Sequence, residues 1–182
     1  MEKIKVGIMG SSAGELTGGE KARLEELAER LGAAIAARGC ALVAGATTGL
    51  PDLVTRAARK QGALTIGVSP AHDRHEHERL GLPLDAAEVI IYTGFGFKGR
   101  NVVNVRSSDI VIIFGGATGT LNEFTIAYDE DKVIGVVEGS GGIADHIREI
   151  LSFGRKQTHA RLLYGAEPEK LLDECLAELK KR

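Results

Sequence analysis

Two side chains of this 182-residue sequence, Arg100 and Glu123, are suited to chemistry at a sugar or a phosphate. Glu123 ends the segment Gly115-Gly-Ala-Thr-Gly-Thr-Leu-Asn-Glu123, in which a glycine-rich turn leads from an apolar run into a predicted helix. A carboxylate held there could stabilise positive charge or activate water, and the arginine could orient it. The spacing of Thr120 and Glu123 also fits a helix capping box, with Arg100 as an ordinary ion-pair partner at the surface or an interface. Spacing alone favours this second interpretation.

Three glycine-rich turns follow predicted strands, at residues 10–14, 45–49 and 115–119. Each leads into or towards a helix, whose first N–H groups and positive dipole end attract anions. Any one turn could simply end a strand, but three together favour a site for a phosphorylated ligand. The turn residues predicted to contact that ligand are Gly10, Ser11, Ser12, Gly45, Thr47, Thr48, Gly49, Gly115, Gly116, Thr118, Gly119 and Thr120.

Short apolar runs alternate with stretches of helical periodicity, which is the pattern of an α/β protein. Strands are predicted over 4–9, 41–44, 63–68, 88–93, 109–114 and 133–137, with a possible edge strand over 162–164. Helices are predicted from a capping box at Thr17–Glu20 to Gly39, and over 50–61, 99–108, 120–129, 143–151 and 168–180. We therefore expect one Rossmann-like, doubly wound domain over residues 1–182, with a mainly parallel sheet and helices on both faces.

Composition and charge exclude several classes of protein. Hydrophobic residues make up 43% of the chain and charged residues 26%, which is typical of a folded globular protein. The net charge of -2 argues against nucleic-acid binding, and the absence of a long apolar run argues against a membrane span. Cys40 and Cys175 have no partner at metal or redox spacing. We expect a cytoplasmic protein with no bound metal.

Two other segments could carry chemistry. Residues 94–99 match the dinucleotide pattern G-x-G-x-x-G, but Phe114 and Gly115 stand where the acidic ribose ligand would be, so we do not favour an NAD site. The polar stretch Ser69–Leu84 is predicted to be a functional loop or lid. Its histidines, His72, His75 and His77, lack standard zinc spacing, and a solvated charged loop is the favoured interpretation.

The segment that ends at Glu123 resembles the motif PGGxGTxxE of the Lonely Guy (LOG) family, whose members were formerly labelled possible lysine decarboxylases. Arg100 stands where the family has the arginine of an Arg-Lys pair, and 45–51 resembles the family's Gly-Gly-Gly-x-x-Gly-Leu-Met. Gly115, Ala117, Asn101 and Asn122 depart from the motif. With Thr93-Gly94 and Arg100-Asn101, the chain looks closer to a LOG-like subgroup that includes molybdenum cofactor carrier proteins.

The resemblance implies hydrolysis of the N-glycosidic bond of a nucleoside 5'-monophosphate. Arg100 and Glu123 would be catalytic, Asn101 would join the ligand-binding residues, and no cofactor would be required. The alternative is a noncatalytic carrier of the molybdenum cofactor, a pterin, or a nucleotide sensor. The resemblance also implies a homo-oligomer, either a dimer or a tetramer. The sequence shows no pyridoxal phosphate signature that would support lysine decarboxylation.

Overall fold

A computed structural model describes residues 2–12, 20–154 and 156–181. Strands and helices alternate along these ranges. The strands are β1 (Lys5–Gly10), β2 (Ala41–Ala44), β3 (Thr65–Ser69), β4 (Val89–Tyr92), β5 (Ile110–Phe114), β6 (Val133–Val137) and β7 (Arg161–Gly165). The helices are α1 (Glu20–Ala37), α2 (Leu50–Lys60), α3 (Arg74–Arg79), α4 (Gly96–Arg106), α5 (Thr118–Asp129), α6 (Gly142–Phe153) and α7 (Pro168–Leu179).

The strands form one parallel sheet in the order β4-β3-β2-β1-β5-β6-β7. The chain winds outwards from β1 to one edge and then returns to β5, beside β1, before winding to the other edge. The direction of winding therefore reverses between β1 and β5, where Gly10 is in register with Phe114. A crevice opens at such a reversal, beyond the carboxyl ends of the two strands. The expected doubly wound α/β fold is confirmed.

Each face of the sheet packs against its own layer of helices. One core contains apolar residues of α1, α2 and α7, and the other contains apolar residues of α4, α5 and α6. Successive residues of β5 point alternately into the two cores, with Ile112 in the first and Ile113 in the second. Burial on both faces explains why this strand is an uninterrupted apolar run. Packing on both faces also holds β5 in place, with its carboxyl end at the crevice.

Helices α1 and α2 approach each other closely at Gly32. A Cβ atom there would lie 2.5 Å from the carbonyl oxygen of Val54 and 2.6 Å from the Cβ of Ala57. The glycine therefore lets α2 lie against α1. The same packing holds the start of α2 beside the first turn of the chain.

Most predicted elements are present, with ends displaced by a few residues. The predicted loop over 69–84 is wrong in part, because it contains α3. Asp73 caps this helix by accepting a hydrogen bond from the backbone N–H of Glu76 at 2.8 Å. Helix α4 begins at Gly96, earlier than predicted, since the glycines of 94–99 enter the helix. The predicted cap Thr17, and residues 13 and 14 of the first glycine turn, lie outside the described residues.

Both cysteines are buried free thiols. Within the described ranges, no helix is both long enough and apolar enough to cross a bilayer.

Replacing Gly32 with alanine should destabilise the protein by about 1–3 kcal/mol, because the new Cβ meets the backbone of α2. Helix propensity alone would give the opposite sign, since alanine is favoured over glycine in a helix by about 1 kcal/mol. Urea unfolding of both proteins measures the difference. An unchanged or increased free energy of unfolding would contradict the close packing of α1 on α2.

Candidate functional site

A cavity of about 290 Å³ lies at the carboxyl ends of β1 and β5, where the winding of the sheet reverses. Most of its walls come from residues predicted to contact a ligand or to be catalytic. Those are Gly10, Ser12, Thr47, Thr48, Arg100, Asn101, Gly119, Thr120 and Glu123. The topology thus gathers residues from all three glycine-rich turns around one space. Their roles there stay predictions.

Ser11 joins the turns that surround the cavity, although it does not line the cavity. Its hydroxyl oxygen accepts a hydrogen bond from the backbone N–H of Gly116 at 2.6 Å. Its carbonyl oxygen accepts from the N–H of Leu50, the first residue of α2, at 2.9 Å. One buried serine therefore fixes the first turn against the start of α2 and against the third turn.

The amino-terminal regions of three helices face the cavity. The lining includes Thr48 just before α2, Phe97 and Lys98 in the first turn of α4, and Gly119 in the first turn of α5. The first turns of α4 and α5, both described throughout, contain no acidic residue that would neutralise their dipoles. The positive dipole ends of α4 and α5 favour an anion in this space, and the ammonium group of Lys98 adds to the effect, whereas Asp52 in the first turn of α2 partly offsets the dipole of that helix.

Arg100 and Glu123 form a buried ion pair at the wall of the cavity. Arg100 lies on α4 and Glu123 on α5, with 7% and 6% of their surfaces exposed. The Nη1 of Arg100 donates to the Oε1 of Glu123 at 2.7 Å. The surface ion-pair and capping-box interpretations are therefore wrong. Thr120 is inside α5, whose N-cap is Ala117, and no side chain caps that helix.

Gly45 makes room for the guanidinium of Arg100. A Cβ atom at Gly45 would lie 2.2 Å from Nη2 and 2.5 Å from the central carbon of that group. The glycine predicted to contact a ligand thus contacts the arginine. Its place at the end of β2 lets a bulky cation lie over the sheet beside Glu123.

Burial raises the pKa of the Glu123 carboxyl above its ordinary value of 4.5. The positive charges of Arg100 and Lys98 oppose this rise, as does the hydrogen bond from Asn104. Desolvation has the larger effect because the carboxyl is almost fully enclosed by protein. A carboxylate whose pKa is raised in this way accepts a proton more readily than an exposed glutamate does.

Three asparagines extend the ion pair into a polar network between α4 and α5. The Nη1 of Arg100 also donates to the Oδ1 of Asn101 at 2.7 Å, and the Nδ2 of Asn101 donates to the Oδ1 of Asn122 at 2.8 Å. The Nδ2 of Asn104 lies 3.4 Å from the Oε1 of Glu123. Asn101 and Asn122 occupy two of the four positions at which the sequence departs from the LOG motif. The departures therefore pair with each other.

Several residues predicted to contact a ligand also make structural contacts within the protein, and their contact with a ligand stays a prediction. Gly49 is the N-cap of α2. Gly115 donates its N–H to the hydroxyl of Ser140 at 2.9 Å. Gly116 has a φ of 98°, and a Cβ there would lie 2.2 Å from the Oγ1 of Thr120. Thr118 is exposed at the start of α5 and does not line the cavity. These glycines shape the turns that carry the lining residues.

Four lining residues escaped the sequence analysis: Leu82, Phe97, Lys98 and Ala117. Phe97 and Lys98 lie inside the G-x-G-x-x-G segment, so that motif did mark the site even though it was set aside as an NAD signature. Leu82 lies after α3, inside the stretch 69–84 that was predicted to be a functional loop or lid, although no motif singled it out. Leu82 and Phe97 supply an apolar part of an otherwise polar cavity wall.

The histidine-rich segment differs in part from its sequence prediction. His77 is buried, in contrast to the predicted solvated loop. Its Nε2 donates to the carbonyl oxygen of Pro83 at 3.0 Å, and its Nδ1 lies 2.8 Å from the hydroxyl of Ser69. A carbonyl can only accept, so the proton is on Nε2, and the serine hydroxyl donates to Nδ1. In the described part of the chain, no group of three His, Cys, Asp or Glu side chains could hold a metal ion.

Two known proteins have sequences similar to that of this chain. A protein of Archaeoglobus fulgidus is 32% identical over 132 residues, which cover 72% of this chain and 78% of that protein. A cytokinin riboside 5'-monophosphate phosphoribohydrolase of Mycobacterium marinum is 34% identical over 136 residues, covering 71% of this chain and 70% of the enzyme.

A solved structure with the same fold is that of the molybdenum cofactor binding protein from Rippkaea orientalis. It superposes with a TM-score of 0.76 at 27% identity and covers 98% of this chain and 99% of that chain. In addition, residues 3–172 match the model of the SLOG cluster4 family. The LOG-type resemblance of the glycine-rich turns is thereby confirmed, and the chain belongs to the SLOG cluster4 family.

Proposed function

We propose that this protein binds a nucleoside 5'-monophosphate in the cavity and hydrolyses its N-glycosidic bond to release the base and ribose 5-phosphate. The observation that carries the proposal is the buried pair of Arg100 and Glu123 at the wall of a cavity that favours anions. The pair offers a carboxylate for the sugar, and the surrounding helix N-termini offer a place for the phosphate.

The phosphate is assigned to the part of the cavity formed by the second and third turns. Thr47 and Thr48 stand before α2, while Gly119 and Thr120 lie in the first turn of α5. Their backbone N–H groups and hydroxyls can donate to phosphate oxygens, and both helix dipoles favour the negative charge. The base then lies towards Leu82 and Phe97, the apolar part of the wall.

Glu123 is assigned the chemical step. As the bond between the base nitrogen and C1' of the ribose breaks, positive charge develops on the sugar ring, and a nearby carboxylate stabilises it. The carboxylate also accepts a proton from a water molecule whose oxygen forms the new bond to C1'. Glu123 passes that proton on to the departing base nitrogen, which returns the carboxylate to its ionised form, so that one water is consumed for each bond cleaved. Arg100 and Asn101 hold the carboxylate and the neighbouring ligand groups in place.

The comparisons support this assignment at the level of the family. The Mycobacterium marinum relative is an enzyme of this class by name, and its similarity to this chain is distributed over about two thirds of both sequences. No cofactor is needed for hydrolysis, since water is the co-substrate and the side chains supply the proton transfer.

The second candidate function is a noncatalytic carrier of the molybdenum cofactor. The observation that favours it is the similarity of the whole fold to the Rippkaea orientalis protein. A phosphorylated pterin could use the same helix N-termini for its phosphate and the same apolar wall for its ring. In this case the cofactor is bound cargo, and Glu123 is a binding group.

Four further properties remain proposals. We propose a homo-oligomer, for which the exposed apolar side chains Val89, Ile91, Phe95 and Phe97 offer a surface near the cavity. We also propose a cytoplasmic protein that forms a single domain and does not bind nucleic acid, as its charge balance suggests.

Purified protein incubated with a panel of nucleoside 5'-monophosphates should release ribose 5-phosphate. Glu123→Gln and Glu123→Ala should each lower turnover by at least about a hundredfold, because the carboxylate that accepts the proton is lost. Glu130→Gln is the matched control, since Glu130 follows the end of α5 and pairs with exposed Arg106. Its turnover should equal that of the wild type.

Absence of release from every protein would contradict the enzymatic proposal and favour the carrier. Tightly retained pterin, detected through the fluorescence of its oxidation product, would then identify the cargo. Equal turnover in the wild type and both Glu123 variants would remove Glu123 from the mechanism.

The pH dependence of turnover should have an acid limb above the ordinary glutamate pKa of 4.5, because burial raises the pKa of Glu123. The ionised form is active, so kcat/KM falls as the pH drops through the raised pKa and levels off above it. Initial rates over a pH series, with circular dichroism to verify folding at each pH, measure the limb. A midpoint at or below 4.5 would contradict the role of a buried carboxylate.

A further inference from the structure

Asn104 is a fully buried polar residue that contacts the candidate catalytic carboxyl but does not line the cavity. It lies one helical turn after Arg100 on α4, so both side chains project from the same face of the helix. Its Nδ2 lies 3.4 Å from the Oε1 of Glu123 and 3.1 Å from the Sδ of Met9. The two hydrogens of this amide nitrogen are thus directed at a carboxylate on α5 and a thioether on β1.

The orientation of this amide follows from its neighbours. Both atoms beside Nδ2 are acceptors, so the nitrogen must lie on that side and the oxygen on the other. The Oδ1 of Asn104 is buried and has no hydrogen-bond partner among the described residues. An unpaired buried carbonyl oxygen destabilises a folded protein. A leucine has nearly the same shape and would fill this position without that cost, so what the amide adds is its N–H donor to Glu123.

Both donors to Glu123 reach the same carboxylate oxygen. The Nη1 of Arg100 and the Nδ2 of Asn104 both bond to Oε1, and within the described ranges no hydrogen bond reaches Oε2. Since Glu123 lines the cavity, this arrangement leaves Oε2 for a ligand or a water molecule. Two donors that approach from different directions also restrict rotation of the carboxyl group, whereas a single donor would permit it.

We propose that Asn104 is a positioning residue that holds Oε1 of Glu123 together with Arg100, keeps the carboxylate ionised and presents Oε2 to the ligand. The inference rests on the proposed function of Glu123. Other charged groups that act on this carboxyl in the described part of the chain are Arg100 and Lys98, both of α4, while β1 contributes the neutral Met9. Asn104 is therefore the one neutral donor whose removal changes no charge at the site.

The test is the titration of the Glu123 carboxyl itself, followed by carbon-13 NMR of protein labelled at the glutamate carboxyl carbon, with Glu123→Gln to assign the signal. In Asn104→Leu the midpoint should rise by about one pH unit, because a donor to the ionised form has been removed. Asn104→Ala should shift it in the same direction, which keeps the test valid if leucine does not fit. An unchanged midpoint in folded protein of both variants would overturn the proposal.

Val105→Ala is the matched control for loss of packing. Val105 is the next residue of α4, is fully buried and belongs to the core between the sheet and helices α4–α6. Its truncation should lower the free energy of unfolding and leave the Glu123 midpoint in place. An equal rise of the midpoint in Val105→Ala would show that the shift reports general loosening, and would overturn a positioning role.

The titration does not depend on turnover, so the two proposals can fail separately. If the panel of nucleotides yields no product, the enzymatic function fails, and the NMR midpoint still decides the role of Asn104. If there is turnover, the acid limb of kcat/KM in Asn104→Leu should move upward by the same amount as the midpoint, with little change in KM. If the acid limb of kcat/KM stays in place while the NMR midpoint of Glu123 moves, the limb belongs to a group other than Glu123. That outcome contradicts the proposed function but not the role of Asn104.

Discussion

The site depends on a buried ion pair between α4 and α5, formed by Arg100 and Glu123. Taking two charges out of water is costly, and their mutual attraction offsets that cost only when further hydrogen bonds surround them. Asn101 and Asn104 supply such bonds, and Gly45 leaves the space that the guanidinium occupies. Much of the polar network between these two helices therefore stabilises the ion pair. These hydrogen bonds help to offset the cost of burying two charges beside an apolar core.

The parallel sheet determines where that pair can meet a ligand. Because β1 and β5 are neighbours, the turns after them lie side by side, and Ser11 joins them through Gly116. The same serine binds the start of α2, so the second turn is held against the first. Helix N-termini that are far apart in the sequence therefore surround one cavity. Their combined dipoles favour a phosphate there whichever ligand carries it.

This electrostatic arrangement suits both candidate functions, and a shared fold does not choose between them. A carrier needs the anion site and the apolar wall of Leu82 and Phe97. Hydrolysis needs in addition a carboxylate that is ionised, oriented and open to the ligand on one side. In the proposed hydrolysis, the two hydrogen bonds on Oε1 of Glu123 would orient the carboxylate and leave Oε2 facing the ligand. The two candidate functions thus differ in what they require of the network formed by Asn101, Asn104 and Asn122.

The sequence by itself determined the fold class and the general location of the site. Continuous apolar strands require cover on both faces, and glycine-rich turns after strands mark the ends at which ligands bind. These signals are local in the chain, so the α/β alternation, the parallel sheet and most lining residues could be predicted. The bounds of α4 and the short helix α3 were less accessible, because glycine and histidine in those segments suit a loop as well as a helix turn.

Only the tertiary structure decided which glycines line the cavity and which make room for protein groups. Gly45 and Gly116 read alike in the sequence as anion-binding residues, yet one lies against Arg100 and the other against Thr120. Local spacing favoured a capping box at Thr120 and Glu123, and the packing of α4 on α5 instead buried Glu123 against an arginine 23 residues earlier. Burial, pairing and the pKa of a carboxyl depend on what the folded chain places around it. Asn104 left no signal because its role exists only through contacts between elements that are distant in the sequence, and Leu82 was marked only as part of the predicted functional loop over 69–84.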